Sequence, residues 1–208
     1  MRLSGKMRLA LVLLMAPLVL AGCGINTIPT KKQKALAQLS EVQNQYQRRA
    51  DLIPNLVETV KGYAAQERQV LTEVTQARAA ATQVKVDAST ITDPATFERY
   101  AQAQDQLTGV LGRLMMIQER YPDLKSNENF MALQSQLEGT ENRISIARRD
   151  YNEAARDYNT EIETVPGVLW ASTVYRSSKP LPYFQASAQA QTAPSVSFAP
   201  APAAAAPR

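Results

Sequence analysis

The sequence predicts an all-α protein built as an up-and-down bundle of four helices. Apolar residues between positions 121 and 166 recur every seven residues, a spacing that places them on one side of a helix. Glycine is scarce, with 8 residues among 208, and the glycine-rich βα turns typical of parallel-sheet enzymes are missing from the sequence. Polar connections separate the helical stretches, and short links favour antiparallel neighbours.

The region from Tyr121 to Pro166 is predicted to contain one long amphipathic helix, the fourth of the bundle. Tyr121 directly precedes Pro122 and ends the helix before it, because a residue that precedes proline is disfavoured in the α region. Ser126 or Asn127 is the expected N-cap. Two apolar rows define the buried side: Phe130, Leu137, Ile144, Tyr151, Tyr158 and Val165 in one, and Leu133, Thr140, Ala147 and Ala154 in the other.

Residues 32–81 keep a helical apolar pattern that would span about 75 Å as a single rod. Such a rod would leave apolar surface uncovered by shorter neighbours, so we expect a break. The sequence around Asp51 and Pro54 favours the break there, because Asp51 can cap a new helix and Pro54 fits its first turn. The alternative is a kink at Pro54 followed by a turn at Gly62.

The third helix is predicted to begin at Asp93 and Pro94, after a β-branched and polar connection over residues 82–93. An acidic cap followed by proline at the first helical position is a strong start signal. Gly109 and Gly112 lie within this helix. Close approach of a neighbouring helix would explain why they are kept.

The first 23 residues are typical of a bacterial lipoprotein signal. A basic start precedes an apolar run of about a dozen residues, which is short against the ~20 needed to span a bilayer. Leu20-Ala21-Gly22-Cys23 resembles a lipobox, which implies cleavage after residue 22 and acylation of Cys23. Residues 23–31 are predicted to form a tether. In a Gram-negative cell, Gly24 in place of Asp would permit sorting to the outer membrane.

These features predict an extracytoplasmic, membrane-anchored protein, on the periplasmic face of the inner or outer membrane if the cell is Gram-negative. Loss of the three basic residues before the apolar run lowers the formal charge from +4 to +1. The remaining charges are interspersed, so we expect no nucleic-acid partner. The sequence has no histidine, which excludes Ser-His and Cys-His catalysis and imidazole metal ligation.

Polar residues run beside the apolar seam and allow three interpretations. They form a catalytic or ligand site, a buried hydrogen-bond network that fixes helix register, or a solvated rim. Di-iron bundles use Glu-x-x-His pairs, which a histidine-free chain lacks. The candidate network comprises Asn55, Glu67, Arg78, Glu141, Arg148, Asn152 and Asn159.

Three segments resemble the LemA family. They are residues 48–64, with Ala50-Asp51-Leu52-Ile53-Pro54 at the centre; residues 119–130, with Arg120-Tyr121-Pro122-Asp123; and residues 137–159, from Leu137-Glu138-Gly139 to Tyr158-Asn159. The resemblance covers roughly residues 30–186 and implies a four-helix bundle outside the cytoplasm, with no catalytic residues to carry over. Two departures are the lipobox, where many members have a plain membrane anchor, and Gln66, where many have histidine.

The expected organisation is a signal peptide over residues 1–22, a tether over 23–31 and the helical bundle over 32–166. An extension over residues 167–185, which includes Trp170, is predicted to pack on the bundle. Residues 186–208 contain little besides Ala, Gln, Pro and Ser, and are predicted to be disordered.

The function predicted from the sequence is a non-enzymatic adaptor or scaffold for another envelope or membrane protein, without cofactor or metal. Its candidate partner contacts are Arg48, Arg49, Asp51 and Asn55. One alternative is an enzyme that acts on a cell-envelope polymer through paired glutamates ~5–9.5 Å apart, drawn from Glu58, Glu67, Glu138 and Glu141. Another is assembly with copies of itself.

Overall fold

The computed structural model describes residues 24–185, and these contain six α-helices and no strand. Four of the helices are long and alternate in direction, so the predicted all-α, up-and-down four-helix bundle is confirmed. The signal peptide, Cys23 and residues 186–208 lie outside the described residues. The helices are α1 (Thr27–Tyr63), α2 (Arg68–Gln83), α3 (Pro94–Met116), α4 (Pro122–Lys125), α5 (Glu128–Glu163) and α6 (Gly167–Thr173), with a 3-10 turn over Ile117–Arg120 between α3 and α4.

Helices α1 and α5 form the longest antiparallel pair of the bundle. Near the start of α1, the Lys31 ammonium lies 2.5 Å from the Glu161 carboxylate. At the other end of α1, Asn127 donates to the Tyr63 hydroxyl at 2.9 Å. Because α5 has 36 residues and α1 has 37, α5 covers the apolar side of α1 along its whole length.

Helix α1 runs unbroken through Pro54, so the predicted break at Asp51 is wrong. Proline has no N–H, which deprives the Ala50 carbonyl of its normal helical donor. The Arg78 guanidinium of α2 replaces that donor, with its Nε 2.8 Å from the Ala50 oxygen. The chain turns after Tyr63 instead, close to the alternative expected at Gly62, and the count of four long helices is still correct.

The start of α1 also differs from the expectation. The helix begins at Thr27, so within the predicted 23–31 tether only Gly24, Ile25 and Asn26 precede it in the described chain. Pro29 is tolerated because it lies in the first turn, where backbone N–H groups have no helical acceptor. The bundle therefore starts almost immediately after residue 23.

The predicted caps of α3 and α5 are present. The Asp93 carboxylate accepts hydrogen bonds from the amides of Ala95 and Thr96, and the Asn127 side chain accepts one from Phe130 N at 2.9 Å. The expected reason for the glycines of α3 is wrong, however. A Cβ at Gly109 or Gly112 would meet nothing within 4 Å, so no neighbouring helix approaches closely there.

The buried interior consists of two apolar clusters, one at each end of the bundle. The cluster near the chain start contains Tyr46, Phe97, Tyr151 and Phe184, and the other contains Leu56, Leu107 and Phe130 among others. None of the helices in residues 24–185 has the length and hydropathy needed to cross a membrane.

Replacing Arg78 by Ala should lower the free energy of unfolding by about 1–3 kcal/mol, because the buried Ala50 carbonyl would lose its donor. In a Pro54→Ala background the loss should shrink, since residue 54 then supplies a backbone N–H. The measurement is a double-mutant cycle by urea denaturation. Arg68→Ala, at an exposed position on the same helix, is the control. Equal losses in the two backgrounds would contradict this role of Arg78.

Candidate interaction groove

A buried layer of polar side chains separates the two apolar clusters, and Arg49 of α1 is its centre. The Arg49 side chain is 1% exposed. Its Nη1 donates to Glu141 and to the Thr108 hydroxyl, each at 2.6 Å. Its Nη2 donates to the side-chain and backbone oxygens of Gln104 at 2.7 and 3.2 Å. The Arg49 guanidinium thus connects α1 to both α3 and α5.

The structure changes the role of one candidate partner contact. Arg49 was predicted to contact a partner, but it is buried and bound within the bundle. Arg48, Asp51 and Asn55 are exposed. The Asp51 carboxylate accepts a hydrogen bond from Gln47 on the same helix, at 2.7 Å.

The seven residues of the candidate polar network do not form a single cluster. Glu141 belongs to the Arg49 layer, and Arg78 supports the backbone beside Pro54. Glu67 lies at the far end of the bundle, where it accepts from the Tyr121 hydroxyl at 2.9 Å and pairs with Arg120. Asn55 is exposed and makes no side-chain hydrogen bond with the described residues. The other three residues, Arg148, Asn152 and Asn159, surround a different feature.

That feature is a segment of the chain, residues 181–185, which lies between α3 and α5. The Asn159 side chain accepts from Leu181 N at 2.8 Å and donates to Leu181 O at 2.9 Å. The Asn152 side chain does the same for Phe184, accepting from its N at 2.9 Å and donating to its O at 2.8 Å. Two side-chain amides therefore replace the partners that a neighbouring strand would supply.

The spacing of the two asparagines fits an extended ligand. Seven residues on α5 separate Asn152 from Asn159 by about 10.5 Å at 1.5 Å per residue. Three residues from Leu181 to Phe184 cover about 10 Å when extended. Leu181 pairs with Asn159 and Phe184 with Asn152, so the segment runs antiparallel to α5.

Aromatic contacts fix the end of this segment. The Phe184 ring lies 4.7 Å from that of Phe97 on α3 and 5.3 Å from that of Tyr151 on α5, measured between centroids. The Arg148 guanidinium lies over the Phe184 ring at 4.8 Å and also pairs with Asp105 of α3 at 3.0 Å. Phe184 and the Arg148–Asp105 pair thus connect α3 to α5.

The space between α3 and α5 continues beyond Gln185 as an open groove of about 480 Å³. We call the whole space between α3 and α5 the α3–α5 groove; it includes the part that residues 181–185 fill and this open part. The Arg148–Asp105 ion pair lines its open part, together with Glu141, the partner of the buried Arg49. It is lined by Asp105, Thr108, Gly109, Glu141, Ile144, Ser145, Arg148, Arg149, Asn152, Phe184 and Gln185.

The four glutamates considered for catalysis have separate partners. Glu58 pairs with Lys61 on the surface of α1, and Glu138 accepts from Gln134 on α5. Glu67 and Glu141 are bound at the end and at the centre of the bundle respectively. Within residues 24–185 there is no group of three or more Cys, Asp or Glu side chains arranged to hold a metal ion.

Comparison with known proteins identifies the family. A family model described as LemA family matches residues 38–198, about three quarters of the chain. The chain belongs to the LemA family. The predicted resemblance is therefore confirmed, and the matched range contains the helices that line the groove.

Three curated relatives in the LemA comparison come from different bacteria. Magnetosome protein MamQ 2 of Paramagnetospirillum magneticum is 27% identical over 157 residues, which cover 68% of this chain and 58% of the relative. Protein LemA of Metamycoplasma hominis is 27% identical over 152 residues, or 69% and 63% of the two chains. Magnetosome protein MamQ of Magnetospirillum gryphiswaldense is 25% identical over 157 residues, or 68% and 58%. The chain thus spans about three fifths of these relatives' length, and none of their names specifies a reaction.

The three LemA-like segments contain much of the buried polar layer and of the groove. Arg49 lies in the first segment, and Glu141, Asn152 and Asn159 lie in the third. Sequence reasoning missed the α3 residues Gln104, Asp105 and Thr108, which lie outside all three segments. The signal that was available is an interruption: Gln104 replaces an apolar residue in the helical row between Tyr100 and Leu107.

Burial changes the acidity of the tyrosines beside the polar layer. Desolvation is the largest effect on Tyr46 and raises its pKa from 10.0 to about 12, although Arg148 and Arg49 oppose it. Burial also raises the pKa values of Tyr100 and Tyr151. The Tyr46 hydroxyl has no hydrogen-bond partner among the described residues.

Replacing Asn159 by Ala should expose the backbone of residues 181–185. The variant loses two hydrogen bonds to Leu181, at a cost of about 1–3 kcal/mol, which corresponds to roughly 5- to 150-fold faster amide exchange at Leu181. Hydrogen–deuterium exchange measures this directly. Asn142→Ala, at an exposed position on α5, is the matched control. Unchanged exchange at Leu181 would show that Asn159 does not hold the segment.

The fold should lose stability above pH 10. Because the pKa of Tyr46 is about 12 in the folded state, against 10.0 for an ordinary tyrosine, the unfolded chain loses that proton first. Stability is therefore complete below pH 10 and falls towards pH 12, by up to about 1.4 kcal/mol per pH unit for this group. Tyr46→Phe should flatten the decline measured by urea denaturation at each pH. Tyr63→Phe, at an exposed tyrosine, should not, and an equal effect of both would contradict the assignment.

Proposed function

We propose that this LemA-family protein is a lipid-anchored, non-enzymatic adaptor of the bacterial envelope that binds an extended segment of another envelope or membrane protein. The binding surface is the α3–α5 groove. The observation that carries the proposal is that the groove already binds an extended peptide, residues 181–185, through both its backbone and an aromatic side chain.

The groove offers two kinds of contact to such a partner. Side-chain amides spaced at seven residues on a helix satisfy the backbone of any extended chain, whatever its sequence. The aromatic rings of Phe97 and Tyr151 and the Arg148 guanidinium favour an aromatic side chain and already surround Phe184. A partner therefore reaches these groups and the two asparagines by displacing residues 181–185. The open part beyond Gln185 provides the remaining volume, and its rim carries the charges of Glu141, Arg148 and Arg149.

The proposed cellular location and the non-enzymatic role of the protein have separate support. The lipobox-like sequence before Cys23 supports acylation of that residue and anchoring outside the cytoplasm. Each of the four candidate glutamates binds a different partner, and no two of them face each other as a pair; this supports a binding role rather than hydrolysis. Two of the relatives are named as magnetosome proteins, and neither name specifies a reaction. Their names support a role as a component of an assembly rather than an enzyme.

Site-specific photocross-linking tests the groove in the native envelope. A benzophenone amino acid at Ser145, an exposed residue of the groove, should give a cross-link to one defined envelope protein. The same probe at Thr72, exposed on α2, should not give that product. Arg148→Ala should reduce the Ser145 product, because it removes a positive charge from the lining of the open groove.

Two outcomes would contradict the proposal. A cross-link from Ser145 only to residues 186–208 of the same chain would make the groove a site for the protein's own C-terminus. A cross-link to a second copy would indicate self-assembly. Intact mass of the protein extracted from its membrane, beside Cys23→Ser, tests the anchor separately: the expected mass shows loss of residues 1–22 and acylation.

A further inference from the structure

The end of the bundle where the described chain begins carries large apolar side chains that residues 24–185 leave exposed. Val165 is 78% exposed, Leu169 58% and Val174 53%. All three lie in or beside α6, within ten residues of one another. We call them the α6 apolar surface. No other ten-residue stretch within residues 24–185 exposes three large apolar side chains.

The start of the chain lies against the same segment. A Cβ at Gly24 would lie 3.8 Å from Pro166 and 3.8 Å from the Trp170 indole nitrogen. Gly24 has a φ of +117°, which glycine adopts at little cost. Residue 23 is bonded directly to Gly24. Helix α1 begins at Thr27, so only residues 24–26 lie between residue 23 and the bundle. This spacer is too short to carry residue 23 far from α6.

Charge at this end is mixed but includes cations without an ion-pair partner. Arg176 and Lys179 follow α6, are exposed, and form no ion pair within residues 24–185. Each basic group near an anionic bilayer contributes about 1 kcal/mol of attraction. Glu163 is exposed nearby and opposes them. The Lys31–Glu161 and Lys34–Asp157 pairs at the same end are each neutral overall.

We propose that the α6 apolar surface contacts the lipid bilayer, inserting Val165, Leu169 and Val174 into its interfacial layer beside the anchor at Cys23. The proposal rests on the proposed acylation of Cys23, which would hold the bilayer against α6. The bundle then stands with α1 and α5 pointing away from the membrane. Their far ends lie about 55 Å away, at 1.5 Å per residue over 37 residues.

The opposite end of the bundle is the other candidate for membrane contact. The opposite end of the bundle also exposes apolar residues, Met116 and Met131, but it is separated from the chain start by the full length of α1. Only the α6 end combines apolar exposure with proximity to the residue expected to carry lipid. A bilayer is therefore the occupant that the position of Gly24 favours.

Fluorescence quenching by brominated lipids tests the contact. Trp170 is the only tryptophan, so Leu169→Trp in a Trp170→Phe background gives one reporter on the surface itself. The full-length protein is expressed, extracted from its membrane and reconstituted in phosphatidylcholine–phosphatidylglycerol vesicles with 6,7-dibrominated acyl chains. At least a twofold loss of fluorescence is expected. Met116→Trp in the same background places the reporter at the far end and should keep its intensity.

A second variant separates contact from mere proximity. Adding Val165→Gln and Val174→Gln to the Leu169→Trp, Trp170→Phe protein should restore most of the fluorescence, because the surface would no longer insert. Met116→Gln and Met131→Gln should have no such effect. Circular dichroism of each variant confirms that the helices are intact.

Intact mass of the same samples keeps the two proposals distinguishable. An acylated protein whose Leu169→Trp reporter is not quenched would overturn the membrane contact and leave the anchor standing. Quenching in a protein that is not acylated would support the contact and refute the anchor. Absence of both acylation and quenching would overturn both proposals.

Discussion

The four-helix arrangement depends on a buried cation. Arg49 is charged at every physiological pH, and placing such a group in an interior costs several kcal/mol unless its donors are matched. Here Nη1 and Nη2 have four acceptors from α3 and α5, whereas Nε has none within the described residues. The guanidinium also lies 5.2 Å from the Tyr46 ring centroid. Sliding α1 by one turn would move the guanidinium by about 5.4 Å and leave it unpaired between two apolar clusters.

That constraint explains why the bundle has a defined groove. An apolar core tolerates small shifts, but the Arg49 layer permits one register of α1 against α3 and α5. Gln104 extends the layer to the end of α2 by donating to Ala81 O at 3.0 Å. The spacing of Asn152 and Asn159 is set by α5 itself. The fixed register holds α3 opposite them, which keeps Phe97 against the bound segment and Asp105 against Arg148. The cation inside the bundle thus prepares the binding surface on its outside.

Much of the fold follows from local sequence patterns. The heptad spacing of α5, the Asp93–Pro94 start of α3 and the Asn127 cap depend on neighbours in sequence, and all three are present. The continuity of α1 through Pro54 could not be predicted in this way. It depends on Arg78, 24 residues further along the chain, which supplies the hydrogen bond that proline removes. Local rules measure the cost of a proline but do not include a donor from another helix.

The candidate site was partly predictable for the same reason. The spacing of Asn152 and Asn159 repeats that of the apolar seam and marks them as candidates, yet no sequence pattern indicates that they bind residues 181 and 184. Arg49 is expected on the surface, because an arginine next to another arginine on a polar stretch is usually exposed. Acceptors on α3 and α5 reverse that expectation, and the α3 acceptors Gln104 and Thr108 belong to no recognisable motif.

The two ends of the bundle have different chemistry, and this difference bears on how an adaptor would work. The end near Gly24 exposes Val165, Leu169 and Val174, whereas the groove opens along the side, between α3 and α5. If the bundle stands on α6, the bound segment of residues 181–185 runs from the membrane end outward, since Leu181 pairs with Asn159 and Phe184 with Asn152 further along α5. A partner would then bind the open part of the groove at a distance from the bilayer, where an extended segment of the partner has free access.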